Sequence, residues 1–246
     1  MALFGCKGVT RLYQGEEVIK DVALSLDEGE LVSLLGVSGV GKTTLFHILS
    51  GVDVPDEGKV FLDGEDITGR AGQVGYMLQK DMLFPYKSIV DNVSLPLIIG
   101  GVPKKEARER AAEHFPQFGL AGYERNYPHQ LSGGMRQRAA LLRTFLMGSR
   151  VMLLDEPFSA LDALTKLQLH DWYLEITAQL GVTTLFITHD VDEAIKLSDR
   201  VYLLSGKPGT ITDELVIEPP RPRDRDFLLS PQFAGYKGRI LKGIGL

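Results

Sequence analysis

Long apolar runs and cysteines are scarce in this sequence, and each shortage excludes a class of protein. No uninterrupted apolar stretch reaches the roughly 18 residues needed to cross a bilayer, so any membrane role must come through a separate chain. Cys6 is the single cysteine, which rules out an intramolecular disulfide, and we expect an inert thiol in a reducing compartment. The stretch from Met1 to Lys7 lacks the apolar core of a signal peptide, and none is expected.

A basic excess is also missing. Asp and Glu number 32 against 27 Lys and Arg, and the net charge is −5. A dedicated nucleic-acid-binding protein is usually basic, so this balance argues against nucleic acid as a partner. The length of 246 residues and the charged fraction of 24% indicate a globular chain with one large domain, or a domain plus a subdomain.

What the sequence does contain is a glycine-rich loop between a predicted strand (31–35) and a helix predicted from Thr44 to Leu49. Such a loop wraps backbone N–H groups around a polyphosphate, and the positive end of the helix faces the same anion. We expect its three glycines to adopt positive φ, Lys42 to hold the β- and γ-phosphates, and the Thr43 hydroxyl to bind Mg²⁺. This phosphate loop consists of Gly36, Val37, Ser38, Gly39, Val40, Gly41, Lys42 and Thr43.

A second helix start that could face a phosphate is predicted in the signature segment, residues 131–138. Ser132 fits a helix N-cap, and Gly133 and Gly134 leave the backbone open for close approach. We expect the helix to run from Met135 to Leu146. Taken alone, such a turn is more often an ordinary loop than a site.

Two acidic residues follow a run typical of a strand buried on both faces (151–154). The carboxyl ends of parallel strands are where α/β folds bind ligands. We expect Asp155 to hold Mg²⁺, directly or through water, and Glu156 to polarise the attacking water. General-base action of this kind is typically worth about 10²- to 10⁴-fold in rate. The alternative, a solvated acidic turn, fits poorly beside a phosphate loop.

These motifs, in this order from about Val9 to Ile217, resemble the nucleotide-binding subunit of ATP-binding cassette (ABC) transporters. The resemblance implies a head-to-tail homodimer in which each ATP lies between the phosphate loop of one subunit and the signature segment of the other. It places Ser132, Gly133 and Gly134 against the nucleotide. Two positions depart from the commonest family pattern: Met135 replaces Gln, and Thr43 replaces Ser with its Mg²⁺-binding hydroxyl preserved.

The resemblance also assigns roles to three isolated residues. His189, after the strand predicted at 184–188, resembles the switch histidine that contacts the γ-phosphate and positions Glu156. Gln79 matches the glutamine that links Mg²⁺ and water to the region touching the membrane partner. Tyr13 occupies the place of an aromatic ring stacked on adenine, a contact worth about 1–3 kcal/mol. Packing of Tyr13 on its own sheet is the alternative.

Two further assignments complete the predicted site. Lys42 joins Glu156, Gln79 and His189 in the catalytic set, and Thr44 belongs to the ATP-binding loop. In the family that the chain resembles, the loop from Ser159 through Ala160 and Leu161 to Asp162 contacts the partner subunit. Asp162 is equally a helix N-cap for the segment 163–180.

The predicted fold is an α/β P-loop NTPase core with a mostly parallel sheet, an N-terminal antiparallel β subdomain and an inserted α-helical subdomain. We expect a single ABC ATPase domain over 1–246. Its core and antiparallel part cover about 1–84 and 149–217, and its helical subdomain covers about 85–148. The tail from 218 to 246 contains Pro, Arg and Asp and is predicted to be an extended, solvated segment.

The resemblance implies an ATP- and Mg²⁺-dependent ATPase that energises a membrane importer of small solutes. The sequences of residues 131–135 and 158–165 resemble those of the family branch that imports nitrate, sulfonates, taurine and pyrimidine vitamin precursors. Implied partners are permease subunits, a solute-binding protein and a second ATPase subunit at the cytoplasmic face of the membrane, with no direct contact with the solute.

Two other functions remain open at this point. A soluble ABC ATPase acting on DNA or ribosomes shares this core, but usually carries long coiled-coil insertions or a second cassette, and neither is present here. A P-loop kinase or GTPase shares only the phosphate loop. The signature segment has no role in such an enzyme, and no Asn-Lys-x-Asp guanine-reading motif occurs.

Overall fold

The computed structural model describes residues 2–159 and 161–245. Within these residues the strands are β1 Phe4–Tyr13, β2 Glu16–Leu26, β3 Leu31–Leu35, β4 Glu57–Leu62, β5 Glu65–Asp66, β6 Gly75–Met77, β7 Val151–Asp155, β8 Thr183–Thr188, β9 Arg200–Ser205 and β10 Thr210–Val216. The helices are α1 Lys42–Leu49, α2 Ile89–Val93, α3 Leu95–Ile99, α4 Lys104–Glu113, α5 Gly133–Phe145, α6 Ala163–Leu180, α7 Val191–Leu197, α8 Arg225–Leu228 and α9 Pro231–Gly243.

A six-stranded sheet in the order β10-β9-β3-β8-β7-β6 forms the centre of the molecule. All its pairs are parallel except that between β9 and β10. Every residue of β3, β7 and β8 is buried, which fits the mostly apolar composition of these strands. The register pairs Leu35 with Thr188 and Asp155 with Ile187, so these three strands end along one edge of the sheet.

A four-stranded antiparallel sheet in the order β2-β1-β4-β5 lies toward the N-terminus. β1 pairs with both β2 and β4, which places Tyr13 at the end of a strand held on both sides. Cys6 is buried in this sheet, and burial raises the pKa of its thiol to about 12, as befits an inert residue. The mostly parallel sheet, the antiparallel sheet and the P-loop core agree with the predicted fold class.

Four helices, α2 to α5, lie between β6 and β7 in the chain. The helix α4 lies within the predicted helical subdomain, and the signature helix α5 begins at Gly133, two residues before the predicted Met135. The earlier start follows from the cap, because the Ser132 hydroxyl accepts a hydrogen bond from the Met135 N–H and so includes both glycines in the first turn. No helix within residues 2–159 and 161–245 is both long and apolar enough to cross a membrane.

The C-terminal segment differs from its prediction. Instead of an extended solvated chain, it forms α8 and α9, and α9 packs on α7 and β9 through Phe233 and Ile240. Arg223 was expected to face water but is 95% buried. Its guanidinium donates hydrogen bonds to backbone carbonyls at the end of α7, including that of Ser198 at 2.7 Å. The prediction failed because sequence composition does not reveal such long-range partners.

Candidate nucleotide site

The phosphate loop connects β3 to α1, as predicted, but its glycines act in two different ways. Gly39 and Gly41 have φ of 79° and 107°, values that favour glycine. Gly36 was also expected at positive φ and does not adopt it. Glycine is needed at position 36 because there is no room for a side chain. A Cβ atom there would lie 2.3 Å from the carbonyl oxygen of Leu204 on the neighbouring strand. Exposed Val37 and Ser38 form the top of the loop.

Lys42 is folded back onto the loop that precedes it. Its Nζ donates hydrogen bonds to the carbonyl oxygens of Gly36 at 2.8 Å and Val37 at 2.9 Å. Burial lowers the pKa of Lys42, while the nearby carboxylates of Glu156 and Asp155 act in the opposite direction. The ammonium group therefore sits inside the loop, bound to neutral carbonyls that an anionic phosphate can replace.

The other loop residues have separate places. The Val40 side chain belongs to the buried core, so only its backbone is available to a ligand. Thr44 is half-buried on the first turn of α1. The Thr43 hydroxyl donates a hydrogen bond of 3.3 Å to Oδ2 of Asp155. Burial raises the pKa of Asp155, and the Thr43 hydrogen bond opposes that shift. Thr43 and Asp155 thus bring two hard oxygen donors together at the start of α1.

Glu156 is the point at which three strand ends meet. Its Oε2 accepts a hydrogen bond of 3.1 Å from Nε2 of Gln79 and lies 3.3 Å from Nδ1 of His189. The glutamate follows β7, the glutamine follows β6 and the histidine follows β8. Glu156 also has φ of 46°, a strained value for a non-glycine residue of the kind that clusters at functional sites. Ser159 stabilises this turn by donating through its N–H and hydroxyl to the Glu156 carbonyl.

The signature residues occupy a different part of the same chain. Ser132 caps its own helix, and within the described ranges no hydrogen bond joins it to the phosphate loop. A Cβ atom at Gly134 would lie 2.9 Å from Cγ2 of Thr165, and one at Gly133 would lie 3.3 Å from Cδ2 of Leu161. The glycines therefore also allow the start of α5 to pack against the start of α6, a role that the sequence did not indicate.

Tyr13 is 42% exposed, so its ring does not pack into the interior of its sheet. Its hydroxyl donates a 2.7 Å hydrogen bond to Asp53, and the Arg11 guanidinium lies 4.8 Å from the ring centroid. An open cleft of about 720 Å³ lies between the turn after Tyr13 and the phosphate loop, bounded by Val18 and Val40. Sequence reasoning missed Arg11 and Asp53, because nothing in their spacing reveals that β1 meets the loop before β4.

The loop after Glu156 ends at Asp162, whose Oδ1 accepts a hydrogen bond of 3.1 Å from the Thr165 N–H. Asp162 is therefore the N-cap of α6, which begins and ends as predicted. Ala160, in the middle of the predicted partner-contact loop, lies outside the described residues.

A buried strand, a phosphate loop that opens a helix and a carboxylate pair at the end of β7, on the same edge of the sheet, together define a P-loop ATPase. The sequence profile of the ABC transporter family matches residues 19–159, more than half of the chain. The chain therefore belongs to the ABC transporter family, and its nucleotide is ATP.

Import ATP-binding proteins are among its relatives. The formylaminopyrimidine import ATP-binding protein ThiZ of Halalkalibacterium halodurans is 44% identical over 78% of this chain and 74% of its own length. The aliphatic sulfonates import ATP-binding protein SsuB 1 of Xanthomonas axonopodis is 43% identical over 85% and 83%. The nitrate import ATP-binding protein NrtD of Synechocystis is 38% identical over 90% and 86%. The resemblance to this importer branch is confirmed.

A solved structure agrees in fold and sequence. The ATP-binding cassette MJ0796, in a dimeric post-hydrolysis state bound to ADP and Pi, is 30% identical with a TM-score of 0.75. The similarity covers 88% of this chain and all of that one. The predicted fold class is thereby confirmed.

Proposed function

We propose that this chain is the ATP-hydrolysing subunit of a membrane importer of small solutes, working as a head-to-tail dimer. The observation that carries the proposal is the meeting of Gln79 and His189 on one carboxylate oxygen of Glu156, beside the phosphate loop. Three side chains from three strand ends converge there, as a hydrolytic site requires and a purely structural acidic turn does not.

Glu156 is the proposed general base. It accepts a proton from water, the water oxygen forms a bond to the γ-phosphorus, and the bond from that phosphorus to the β–γ bridging oxygen breaks, so that ADP leaves. His189, at the end of β8, holds the γ-phosphate and orients Glu156. Gln79 orients the same carboxylate from the other side of β7, after the end of β6. Lys42 stabilises the charge on the β- and γ-phosphates.

Three oxygen donors along the edge of the sheet, from the start of α1 and the ends of β7 and β6, fit Mg²⁺. Thr43 and Asp155 already share a hydrogen bond, and the amide oxygen of Gln79 is a third donor of the hard type that Mg²⁺ selects. Mg²⁺ in such sites is usually held by one or two carboxylates together with substrate phosphates, so this small donor set suffices. When bound, the ion neutralises charge on the β- and γ-phosphate oxygens.

The second half of each site comes from the partner subunit. Ser132, Gly133 and Gly134 begin a helix of 13 residues, whose N-terminal N–H groups favour an anion. In the proposed dimer these residues bind the γ-phosphate of ATP held by the other subunit, and the related cassette MJ0796 is likewise dimeric in a state bound to ADP and Pi. ATP then favours the closed dimer by its differential affinity for that state, and hydrolysis removes the preference.

A surface next to Gln79 is suited to a permease subunit. Met82, Phe84 and Tyr86 are 56%, 41% and 71% exposed, an unusual concentration of large apolar side chains in one short segment. Arg143 of α5 fixes this segment by donating to the carbonyls of Asp81 and Met82. The permease would hold the subunit at the cytoplasmic face, and a solute-binding protein would select a small solute such as those named for the relatives.

Replacing Glu156 with Gln tests the proposal. Glu156→Gln keeps the size and one oxygen acceptor but cannot accept the proton, so we expect turnover to fall by about 10²-fold or more while ATP binding persists. The ATP-bound variant should accumulate as a dimer in gel filtration. Glu175→Gln, on the exposed face of α6, is the matched control and should behave as the wild type. A monomer that hydrolyses ATP at the normal rate contradicts the mechanism.

Hydrolysis without an added phosphate acceptor separates this function from that of a kinase. We expect inorganic phosphate to appear from ATP and Mg²⁺ in buffer alone. Turnover that depends on a small-molecule acceptor would instead support a phosphotransferase.

A further inference from the structure

A partly buried cluster of polar side chains, formed by Lys166, His170, Asp190 and Glu193, lies next to the proposed catalytic residues. The Lys166 ammonium is 2.7 Å from Oδ2 of Asp190 and 2.7 Å from Oε2 of Glu193. The same Glu193 oxygen is 3.1 Å from Nε2 of His170. Glu193 is almost completely buried and Lys166 is mostly buried, so their charges interact largely through protein, while Asp190 is partly exposed to water.

The cluster joins the two helices that begin beside the site. Lys166 lies on the first turn of α6, four residues after its N-cap Asp162, in the segment that follows Glu156. Asp190 is the N-cap of α7 and is the residue directly after His189. Lys166 therefore connects the helix that follows the general base to the helix that follows the switch histidine.

Asp190 makes several hydrogen bonds that hold the backbone on the C-terminal side of His189. The Asp190 N–H donates to Oγ1 of Thr188, and its Oδ1 accepts from the N–H groups of Asp192 and Glu193. Lys166 binds the remaining carboxylate oxygen. The His189 side chain itself is 62% exposed and contacts Glu156, so its aim depends on where its backbone is fixed.

Lys166 is charged in this environment. Burial alone would lower its pKa, but hydrogen bonds to Asp190 and Glu193 raise it. The clamp on Asp190 is thus a charge-assisted bond of the stronger kind.

We propose that Lys166 is a positioning residue for His189, which it aims at Glu156 by clamping Asp190 to the start of α6. The inference rests on the catalytic role of His189 proposed above. If the clamp is lost and His189 shifts, turnover should fall more than ATP binding, because His189 acts on the reacting phosphate.

The test is a double-mutant cycle on turnover, followed with radiolabelled ATP so that residual activity is measurable. Lys166→Met should lower kcat by about tenfold and leave the Kd for ATP within about twofold of the wild type. In the His189→Ala background the same change should alter kcat by less than about twofold, because the residue that it positions is gone. Lys166→Arg, which keeps the charge, should recover most of the lost turnover.

A matched control separates positioning from general stability. Lys196 of α7 makes a second ion pair between the same helices, 2.7 Å from Asp171 of α6, without touching Asp190. Lys196→Met should leave kcat unchanged. Where Lys166→Met fails to fold, Asp190→Asn replaces it, because Asn caps helices as well as Asp while removing the charge that Lys166 binds.

If the double variant loses kcat by the product of the losses in Lys166→Met (or Asp190→Asn) and His189→Ala, the two residues act independently. That result would overturn the assignment of Lys166 and leave the proposed ATPase mechanism intact. An equal loss of kcat in Lys196→Met would overturn it in the same way. A His189→Ala variant with wild-type kcat would overturn both the positioning role and the proposed role of His189.

Discussion

At the scale of single residues, the proposed catalytic centre lies where backbone and side chain are both unusual. Glu156 combines a positive φ with contacts from two other strand ends. Such strain is of the order of 1–3 kcal/mol and persists only where the surrounding structure holds it. The Ser159 hydrogen bonds to the Glu156 carbonyl stabilise this turn, and the Glu156 carboxylate is close enough to Lys42 to raise the pKa of its ammonium group against the effect of burial.

Lys42 gives a prediction at this scale. Its ammonium is pre-placed inside the loop, and a charge-assisted bond to phosphate is worth about 1.5–3 kcal/mol. Lys42→Ala should therefore raise the Kd for ATP by at least about tenfold, measured by calorimetry. Lys105→Ala, an exposed lysine of α4, is the control. Unchanged affinity in Lys42→Ala would count against the phosphate loop as the nucleotide site.

The site residues that could be predicted from the sequence are those that directly follow the end of a strand. The phosphate loop, Asp155, Glu156 and His189 each come directly after a buried apolar run, a local pattern that parallel pairing converts into proximity. Lys166 gave no such signal, because its partners lie 24 and 27 positions further along the chain. Positive φ was wrongly predicted for Gly36. The steric contact that requires glycine there is with Leu204, which is distant in sequence.

At the scale of elements, the C-terminal segment is an integral part of the fold. Arg223 lies between the end of α7 and the end of β10, with hydrogen bonds to the carbonyls of Ile195, Lys196, Ser198, Ile217 and Pro219. The last carbonyls of a helix lack partners within it, and Arg223 donates to two of these in α7, those of Ile195 and Lys196, and to the C-cap Ser198. Burial lowers the pKa of Arg223 to about 10. The segment thus stabilises the helix that begins beside His189.

Arg223→Ala gives the prediction for this scale. Removing the guanidinium leaves several buried carbonyls without a donor, at about 1–3 kcal/mol for each unsatisfied group. We expect a total loss of about 2–4 kcal/mol in the free energy of unfolding, read from urea denaturation. Arg225→Ala, an exposed position on α8, should change stability by less than about 0.5 kcal/mol. Equal midpoints for the two variants would show that α7 does not need this cap.

At the scale of the whole molecule, the proposed function requires one subunit to hold two incomplete halves of a site. Glu156 and Lys42 lie at the strand edge, while Ser132 caps a helix with no hydrogen bond to the phosphate loop within the described chain. Two identical faces that each need the other produce a two-fold dimer, in which the same patch serves both subunits. The segment from Met82 to Tyr86 then remains exposed for a permease.

The most direct test of the shared nucleotide site is the structure of the Glu156→Gln variant with ATP and Mg²⁺. We expect a two-fold dimer in which the Ser132 hydroxyl lies within hydrogen-bonding distance, about 2.5–3.0 Å, of a γ-phosphate oxygen on the ATP that the partner's Lys42 holds. A dimer with ATP in both phosphate loops and Ser132 distant from every γ-phosphate would contradict the shared site.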